Sequence, residues 1–243
     1  MKSSVMTIGF IGTGIMGRPM ALNLIKSGFP VVIYNRTLEK AKEVVDAGAE
    51  SKSSPREVAE SSDVIISIVT DTSDVEDVLF GKDGVLDGAR EGQVVIDMST
   101  ISPDATCVFA ERLAEKGVGM LDAPVSGGEI GAIQGTLTIM VGGLEDVFTR
   151  CRPILEGMGK RITHVGPVGS GQIVKACNQI MCAVNQVAVS EALFLCCRSG
   201  IDPNLMHEVV TGGAGTSWAL ENLGRKAIAV SYTHLRAHET EPD

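Results

Sequence analysis

Along the first two thirds of the chain, short runs of aliphatic and β-branched residues alternate with longer stretches of helical periodicity. The apolar runs are "VMTIGFI", "PVVIYN", "DVIISIV", "QVVIDM", "VGMLDA", "LTIMVGG" and "RITHVG". Each is short, bounded by turn residues and rich in Val and Ile, the signature of a strand covered on both faces. Between them lie "MGRPMALNLIKSG", "TLEKAKEVVDAG", "SPREVAESS" and "SPDATCVFAERLAEKG". Several of these open on Ser or Thr and close on Gly, as helix caps do. Repeated alternation of this kind predicts a mostly parallel sheet with helices on both faces. The pattern changes near "VGPVGSG". From Gly169 onward no strand is predicted, and helical periodicity runs from about 171 to 198, followed by shorter helices in "GIDPNLMHEVV" and "TSWALENLGRKAI". The organisation read from this is a sheet domain over 1–165, the start of an all-helical domain over 166–228, and a tail over 229–243.

Composition narrows the functional classes. Apolar residues make up 44% and charged residues 21% of 243 positions, an ordinary globular balance. The net charge of −9 leaves no basic stripe for a phosphate backbone, so nucleic acid is not an expected partner. The most apolar stretch, "IMCAVNQVAVSEALFLCC", is broken by Asn185, Gln186, Ser190 and Glu191; it is expected to be a buried core helix, with no membrane involved. The opening residues carry no signal-peptide pattern, and a cytoplasmic protein is expected. Six cysteines, at 107, 151, 177, 182, 196 and 197, form no Cys-x-x-Cys pair and have no His at ligand spacing. They are expected to be small, buried, apolar residues kept reduced, without a metal.

The first chemistry-bearing motif is "GTGIMG", residues Gly12-Thr13-Gly14-Ile15-Met16-Gly17, set directly after a predicted strand and before a predicted helix. In that context the spacing points to a dinucleotide: Gly12 for the tight turn, Gly14 for close approach to a pyrophosphate, and Gly17 for helix packing. The fold expected is therefore α/β, a Rossmann-type doubly wound sheet followed by the helical domain. At the end of the second strand, where an acid would bind a ribose 2′-hydroxyl, the chain has "YNRT". Asn35 lacks a repelling carboxylate, Arg36 can pair with a 2′-phosphate, and Thr37 can donate a hydroxyl. This favours NADPH over NADH; the alternative is that Thr37 merely caps the next helix while Arg36 stays in solvent.

A second feature is an ammonium at the opening of an apolar helix, Lys175 in "GSGQIVKACNQ", with Asn178 three residues on and on the same helix face. A carbonyl accepting hydride needs a proton, and a partly desolvated lysine can give one. Two readings stay open on spacing alone: Lys175 as proton donor with Asn178 as its orienting partner, or Lys175 snorkelling from the helix start. In "DAPVSGGE", Ser126, Gly127 and Gly128 offer a hydroxyl and backbone N–H groups to a carboxylate, or form a plain loop.

Taken together, "GFIGTGIMGRPMALNLIKSGF", "DMSTISP", "DAPVSGG" and "GSGQIVKACNQ" resemble, in order, the motifs of the β-hydroxyacid dehydrogenases. This family includes 3-hydroxyisobutyrate dehydrogenase, 2-hydroxy-3-oxopropionate (tartronate semialdehyde) reductase and glyoxylate/succinic semialdehyde reductases, and the resemblance covers roughly residues 5–228. It implies that the loop from Gly12 to Gly17 holds the pyrophosphate, with Asn35, Arg36 and Thr37 at the adenosine ribose. It puts Val69, Thr70 and Thr100 along the cofactor, and Ser126, Gly127 and Gly128 at the substrate carboxylate. Lys175 matches the family's catalytic lysine and Asn178 its helper. The position of Thr70 is usually Pro in the family.

The activity implied is NADPH-dependent reduction of a short carboxylate-bearing semialdehyde or 2-oxo acid to a hydroxy acid, tartronate semialdehyde first, with NADH as a possible substitute. Alternatives are a 3-hydroxyisobutyrate dehydrogenase or an NADP-binding module without turnover. The imine reductases and phosphogluconate dehydrogenases are related but surround this helix position with other residues. Family members continue beyond Ile228 and associate through the helical domain. The resemblance therefore implies a shortened domain here, exposed apolar helix faces, weakened oligomerisation and slow turnover. The final "AVSYTHLRAHETEPD" matches nothing in the family and resembles translated sequencing-adapter read-through. His234 and His238 within it are too few ligands for a metal.

Overall fold

The computed structural model describes residues 6–229, so the reading of the tail, His234 and His238 included, lies outside the described residues apart from Ala229. The sheet domain follows the order β1 (Ile8–Ile11), α1 (Gly17–Lys26), β2 (Val31–Tyr34), a 3-10 turn, α2 (Lys42–Asp46), β3 (Glu50–Ser51) and α3 (Pro55–Glu60). It continues through β4 (Val64–Ser67), α4 (Thr72–Phe80), α5 (Val85–Gly88), β5 (Val94–Asp97), α6 (Pro103–Ala114), β6 (Gly119–Asp122) and β7 (Val125–Ser126). Then come α7 (Gly128–Gln134), β8 (Leu137–Gly142), α8 (Glu145–Glu156) and β9 (Gly159–Gly166). Local chemistry sets several starts: the Ser54 hydroxyl accepts the Glu57 N–H ahead of Pro55, and Ser102 does the same for Ala105 ahead of Pro103. A proline in the first turn loses no helical hydrogen bond, so each Ser-Pro pair marks a beginning.

Among the described residues the strands lie in the order β3-β2-β1-β4-β5-β6-β8-β7, with β9 paired to β8. Pairing is parallel from β3 to β6 and turns antiparallel where β8 meets β6 and β7. Every predicted strand is present. The two-residue β3 and β7 are additional, being too short to leave a pattern. Each residue of β1, β4 and β5 is buried, because helices cover both sheet faces. Alternate residues feed two cores: Ile8, Phe10, Ile66 and Ile96 pack with Met20 and Leu24 on one side, while Ile11, Ile65 and Val95 pack with Val75, Leu79 and Leu113 on the other. A fully buried side chain of this size contributes about 1.5–3 kcal/mol.

Beyond β9 runs α9 (Ser170–Arg198), then α10 (Pro203–Thr211) and a π-helical turn at Leu220–Gly224. The strand pattern ends at Gly166, but the two compact units divide later, between Lys175 and Ala176. The opening of α9 belongs to the sheet unit because its first backbone N–H groups bond to Asp122 at the end of β6. The second unit has a small core of Val189, Ala219 and Leu220, with Leu193 and Val210 against it, and the His207 Nε2 lies 3.0 Å from the Leu220 carbonyl.

One expectation fails here. The apolar stretch of α9 is long and apolar enough to cross a membrane, with mean hydropathy 1.7 over its most apolar 18 residues, yet only 6% of that window is buried. Among the described residues it is not a buried core helix. Cys177, Cys182 and Cys197 on it are exposed, as is Cys107, so only Cys151 and Cys196 meet the expectation of burial.

Candidate active site

The order β2-β1-β4 places a switch point where the chain leaves β1 on one side and β4 on the other, and a crevice opens beyond the carboxyl ends of these strands. A cavity of about 500 Å³ occupies it, lined by Gly12 and Gly14 after β1, by Tyr34 to Thr37 after β2, and by Ile68 to Thr70 after β4, with Lys40, Pro55, Asp74, Asp77 and Lys82 at its margin. The three glycines differ in what they permit. Gly12 has φ +98°, and a β-carbon on it would run into the Ile68 carbonyl. A β-carbon on Gly17 would collide with the Gly12 carbonyl, so α1 could not start so close to the loop. Gly14 has nothing within 4 Å of that position, leaving open space for a group that approaches the backbone. These residues fit a pyrophosphate at the start of α1.

Sequence reasoning brings Gly12, Gly14, Asn35, Arg36, Thr37, Val69 and Thr70 to this cavity. Thr13, Ile15, Met16 and Gly17 lie in or next to the same loop without lining it: Thr13 is buried, Ile15 is exposed, and Met16 precedes α1. Asn35 is occupied structurally. Its Oδ1 accepts the Thr13 N–H at 2.8 Å and its Nδ2 donates to the Thr37 carbonyl at 2.7 Å, which ties the glycine loop to the end of β2. Arg36 is largely exposed and faces Asp74 at 3.6 Å. Thr37 stands at the N-cap position of the following 3-10 turn without a side-chain capping bond, while Arg36 stays in solvent as the alternative reading expects.

Farther along the crevice lies a buried polar network absent from the sequence expectations. Asp97, at the end of β5, is fully buried, and its Oδ1 accepts from the hydroxyls of Ser67 at 2.8 Å and Ser99 at 2.7 Å. Its Oδ2 has no hydrogen-bond partner. Burial pushes its carboxyl up to about 6, against the lowering effect of Ser99 and Ser67, and the neighbouring Asp122 adds to the rise. Ser99 Oγ also accepts the Val69 N–H at 2.9 Å, joining the network to the cavity wall. Asp122 accepts the N–H groups of Gly169 (2.8 Å) and Gln172 (2.9 Å), capping α9. Burial raises this carboxyl as well, opposed by those backbone donors. Gln172, 2% exposed, receives the Ile101 N–H on Oε1 at 3.1 Å and donates from Nε2 to the Ser99 carbonyl at 2.9 Å. Thr100, between these two residues, is exposed.

Lys175 stands one helical turn after Gln172 and is 8% exposed. Its side chain is largely withdrawn from solvent. Ser126 ends β7, and Gly127 (φ +132°) and Gly128 (φ +62°) form an exposed corner into α7 that residues with a β-carbon rarely adopt. Asn178 falls on the other side of the division between units, where its Nδ2 donates to Gln179 Oε1 at 3.1 Å and reaches Cys182 Sγ at 3.6 Å. Among the described residues no group of three or more His, Cys, Asp or Glu could hold a metal. The missed residues did have a signal: Asp97 and Asp122 each end a predicted strand, and Gln172 sits inside the lysine motif.

Comparisons with known proteins agree with this geometry. Residues 7–166 match the NAD binding domain of 6-phosphogluconate dehydrogenase, and residues 169–235 match the NAD-binding domain of NADP-dependent 3-hydroxyisobutyrate dehydrogenase. The chain is 46% identical to the uncharacterized oxidoreductase YkwC of Bacillus subtilis, over 91% of this chain and 77% of that one. It is 47% identical to the 2-hydroxy-3-oxopropionate reductase of Escherichia coli, over 92% of this chain and 76% of the other. The structure of 3-hydroxyisobutyrate dehydrogenase from Mycobacterium tuberculosis superposes with a TM-score of 0.83 at 36% identity, covering 90% of this chain and 74% of that one. The protein is an NAD(P)-dependent oxidoreductase, and it belongs to the β-hydroxyacid dehydrogenase family.

Proposed function

We propose that this chain reduces a short, carboxylate-bearing semialdehyde or 2-oxo acid to the hydroxy acid with NADPH as preferred reductant, tartronate semialdehyde being the first candidate. The observation that carries this reading is the burial of Lys175 in the same unit as the glycine-loop cavity, on a helix whose start is fixed to the sheet by Asp122 and Gln172. The nicotinamide cofactor supplies the hydride when bound. Lys175, as the ammonium, gives a proton to the substrate carbonyl oxygen; in the oxidative direction the neutral amine takes it back. Ser126, Gly127 and Gly128 donate hydrogen bonds to the substrate carboxylate. Gly12, Gly14 and Gly17 let the loop close on the pyrophosphate, while Val69, Thr70 and Thr100 flank the cofactor. Arg36 and Thr37 bind the 2′-phosphate, a preference supported by Arg36, Lys40 and Lys82 around that end of the cavity. Asp74 is the competitor that Arg36 must leave.

Likeness to the Mycobacterium tuberculosis enzyme supports oxidation of 3-hydroxyisobutyrate as the second reading. Purified protein is assayed for NADPH and NADH oxidation with tartronate semialdehyde, glyoxylate and succinic semialdehyde, and for NADP⁺ reduction with 3-hydroxyisobutyrate. Turnover is expected to be fastest with a semialdehyde and NADPH. NADPH binding without turnover on any substrate would make the chain a binding module instead. Lys175→Met should lower kcat by about 10²–10⁴-fold while NADPH binding by fluorescence stays unchanged; retained reduction removes Lys175 as proton donor. Arg36→Ala should weaken NADPH about tenfold and NADH little, by loss of a charge-assisted contact.

A further inference from the structure

We propose that Gln172 is a positioning residue that fixes Lys175 and Thr100 relative to each other, by gripping the backbone on both sides of Thr100 with its side-chain amide. The proposal rests on the reductase reading of Lys175 given above. An amide carries one donor group and one acceptor, and Gln172 uses both on one short stretch: Nε2 donates to the Ser99 carbonyl and Oε1 accepts the Ile101 N–H. The residue between these two contacts is Thr100, which is itself exposed. The main chain of Gln172 is held as well, its N–H donating to Asp122 Oδ2. A β-carbon on Gly171 would press on the Asp122 carboxylate and on the Met140 carbonyl, so the helix start sits directly on the end of the sheet. Lys175 follows three residues later on the same helical face. One side chain therefore spans the loop assigned to the cofactor and the helix turn that carries the proton donor, and neither can shift without breaking a bond to it.

The identity of the residue is constrained. Asn presents the same groups one methylene short, and Met fills the volume but leaves two buried backbone groups unpaired. Ionised Glu loses the donor and adds a third buried carboxylate beside Asp97 and Asp122. Only protonated Glu reproduces both contacts.

A purely space-filling role predicts a loss of stability with kinetics in proportion to the folded fraction. A positioning role predicts a loss in kcat alone, since misplacement of about 1 Å can cost 10²-fold in rate. Hydrogen exchange by mass spectrometry on the protein without added cofactor gives the first readout: Gln172→Met should accelerate exchange in 98–101 and in 169–175 together, by about tenfold or more, as local opening does. Acceleration confined to 98–101, or in neither segment, overturns the coupling. In turnover, Gln172→Met should lower kcat about 10–100-fold with KM and NADPH Kd within about threefold; an unchanged kcat, or a loss confined to KM or Kd, also overturns it. Gln172→Glu serves as the second variant and covers failure of the first to fold. Its kcat relative to the unsubstituted protein should rise as pH falls and the new carboxyl takes a proton, and a pH-independent ratio counts against the proposal. If the unsubstituted protein turns over none of the substrates, the reductase reading fails and the exchange result alone judges the coupling.

Discussion

Ile65, Ile66 and Leu79 in the sheet unit are fully buried, whereas Ile180, Val184 and Val187 on α9 are 63%, 60% and 62% exposed. All six are branched aliphatic residues; the layers around them differ. Strands β1, β4 and β5 lie between two sets of helices, so every apolar side chain finds a partner on one face or the other. Among the described residues of the helical unit, three buried residues form the core and much of the apolar surface of α9 stays exposed. Sheet domains of this kind complete their own core, while the helical half depends on coverage that its described elements do not supply.

The largest expected effect tests the self-sufficient half. Ile66→Ala should lower stability to urea by about 2–5 kcal/mol, the range for emptying a closely packed site. A loss under 1 kcal/mol would mean the sheet core is less closed than its burial indicates.

Next in size is the buried carboxylate at the end of β5. Asp97 titrates at about 6 in the folded protein, above the ordinary aspartate range, so the folded state holds its proton more tightly than the unfolded chain does. Stability therefore falls as pH rises from about 4 to about 6 and stays lower above that, by about 3 kcal/mol from this group. Asp97→Asn removes the titration. Measured by denaturant unfolding at pH 4.5 and 7.5, the variant should gain on the unsubstituted protein as pH rises, and a pH-independent difference rules out Asp97 as the source.

The smallest effect sharpens the other side of the comparison. Val187→Ser on the exposed face of α9 should change the unfolding free energy by no more than about 0.5 kcal/mol, as for an ordinary surface site. A loss of 2 kcal/mol or more would show that this face is covered in solution.

Strand alternation and the glycine loop were legible in the sequence because each carries a periodic or positional constraint on single residues. The burial of α9 was not: periodicity reports which positions are apolar, and says nothing of what lies against them. Site residues divide the same way. Gly12 and Gly14 announce themselves by their place after a strand, while Asp97, Asp122 and Gln172 meet partners 30 to 73 residues away, the nearby Ser99 of Asp97 excepted. Asn35 shows the limit from another side: its place after β2 is legible, but the tie its amide makes between Thr13 and Thr37 is not.

The borders of the sheet carry a consequence of their own. Among the described residues the edges are the two-residue β3, with Glu50 on it, the two-residue β7, and β9, which pairs with β8 and bears the exposed Lys160 and Arg161. A short edge or a charged one resists the addition of a further strand. Polymerisation by strand exchange is thus disfavoured at these borders of the sheet, so its long parallel array is kept from acting as a template for neighbouring molecules.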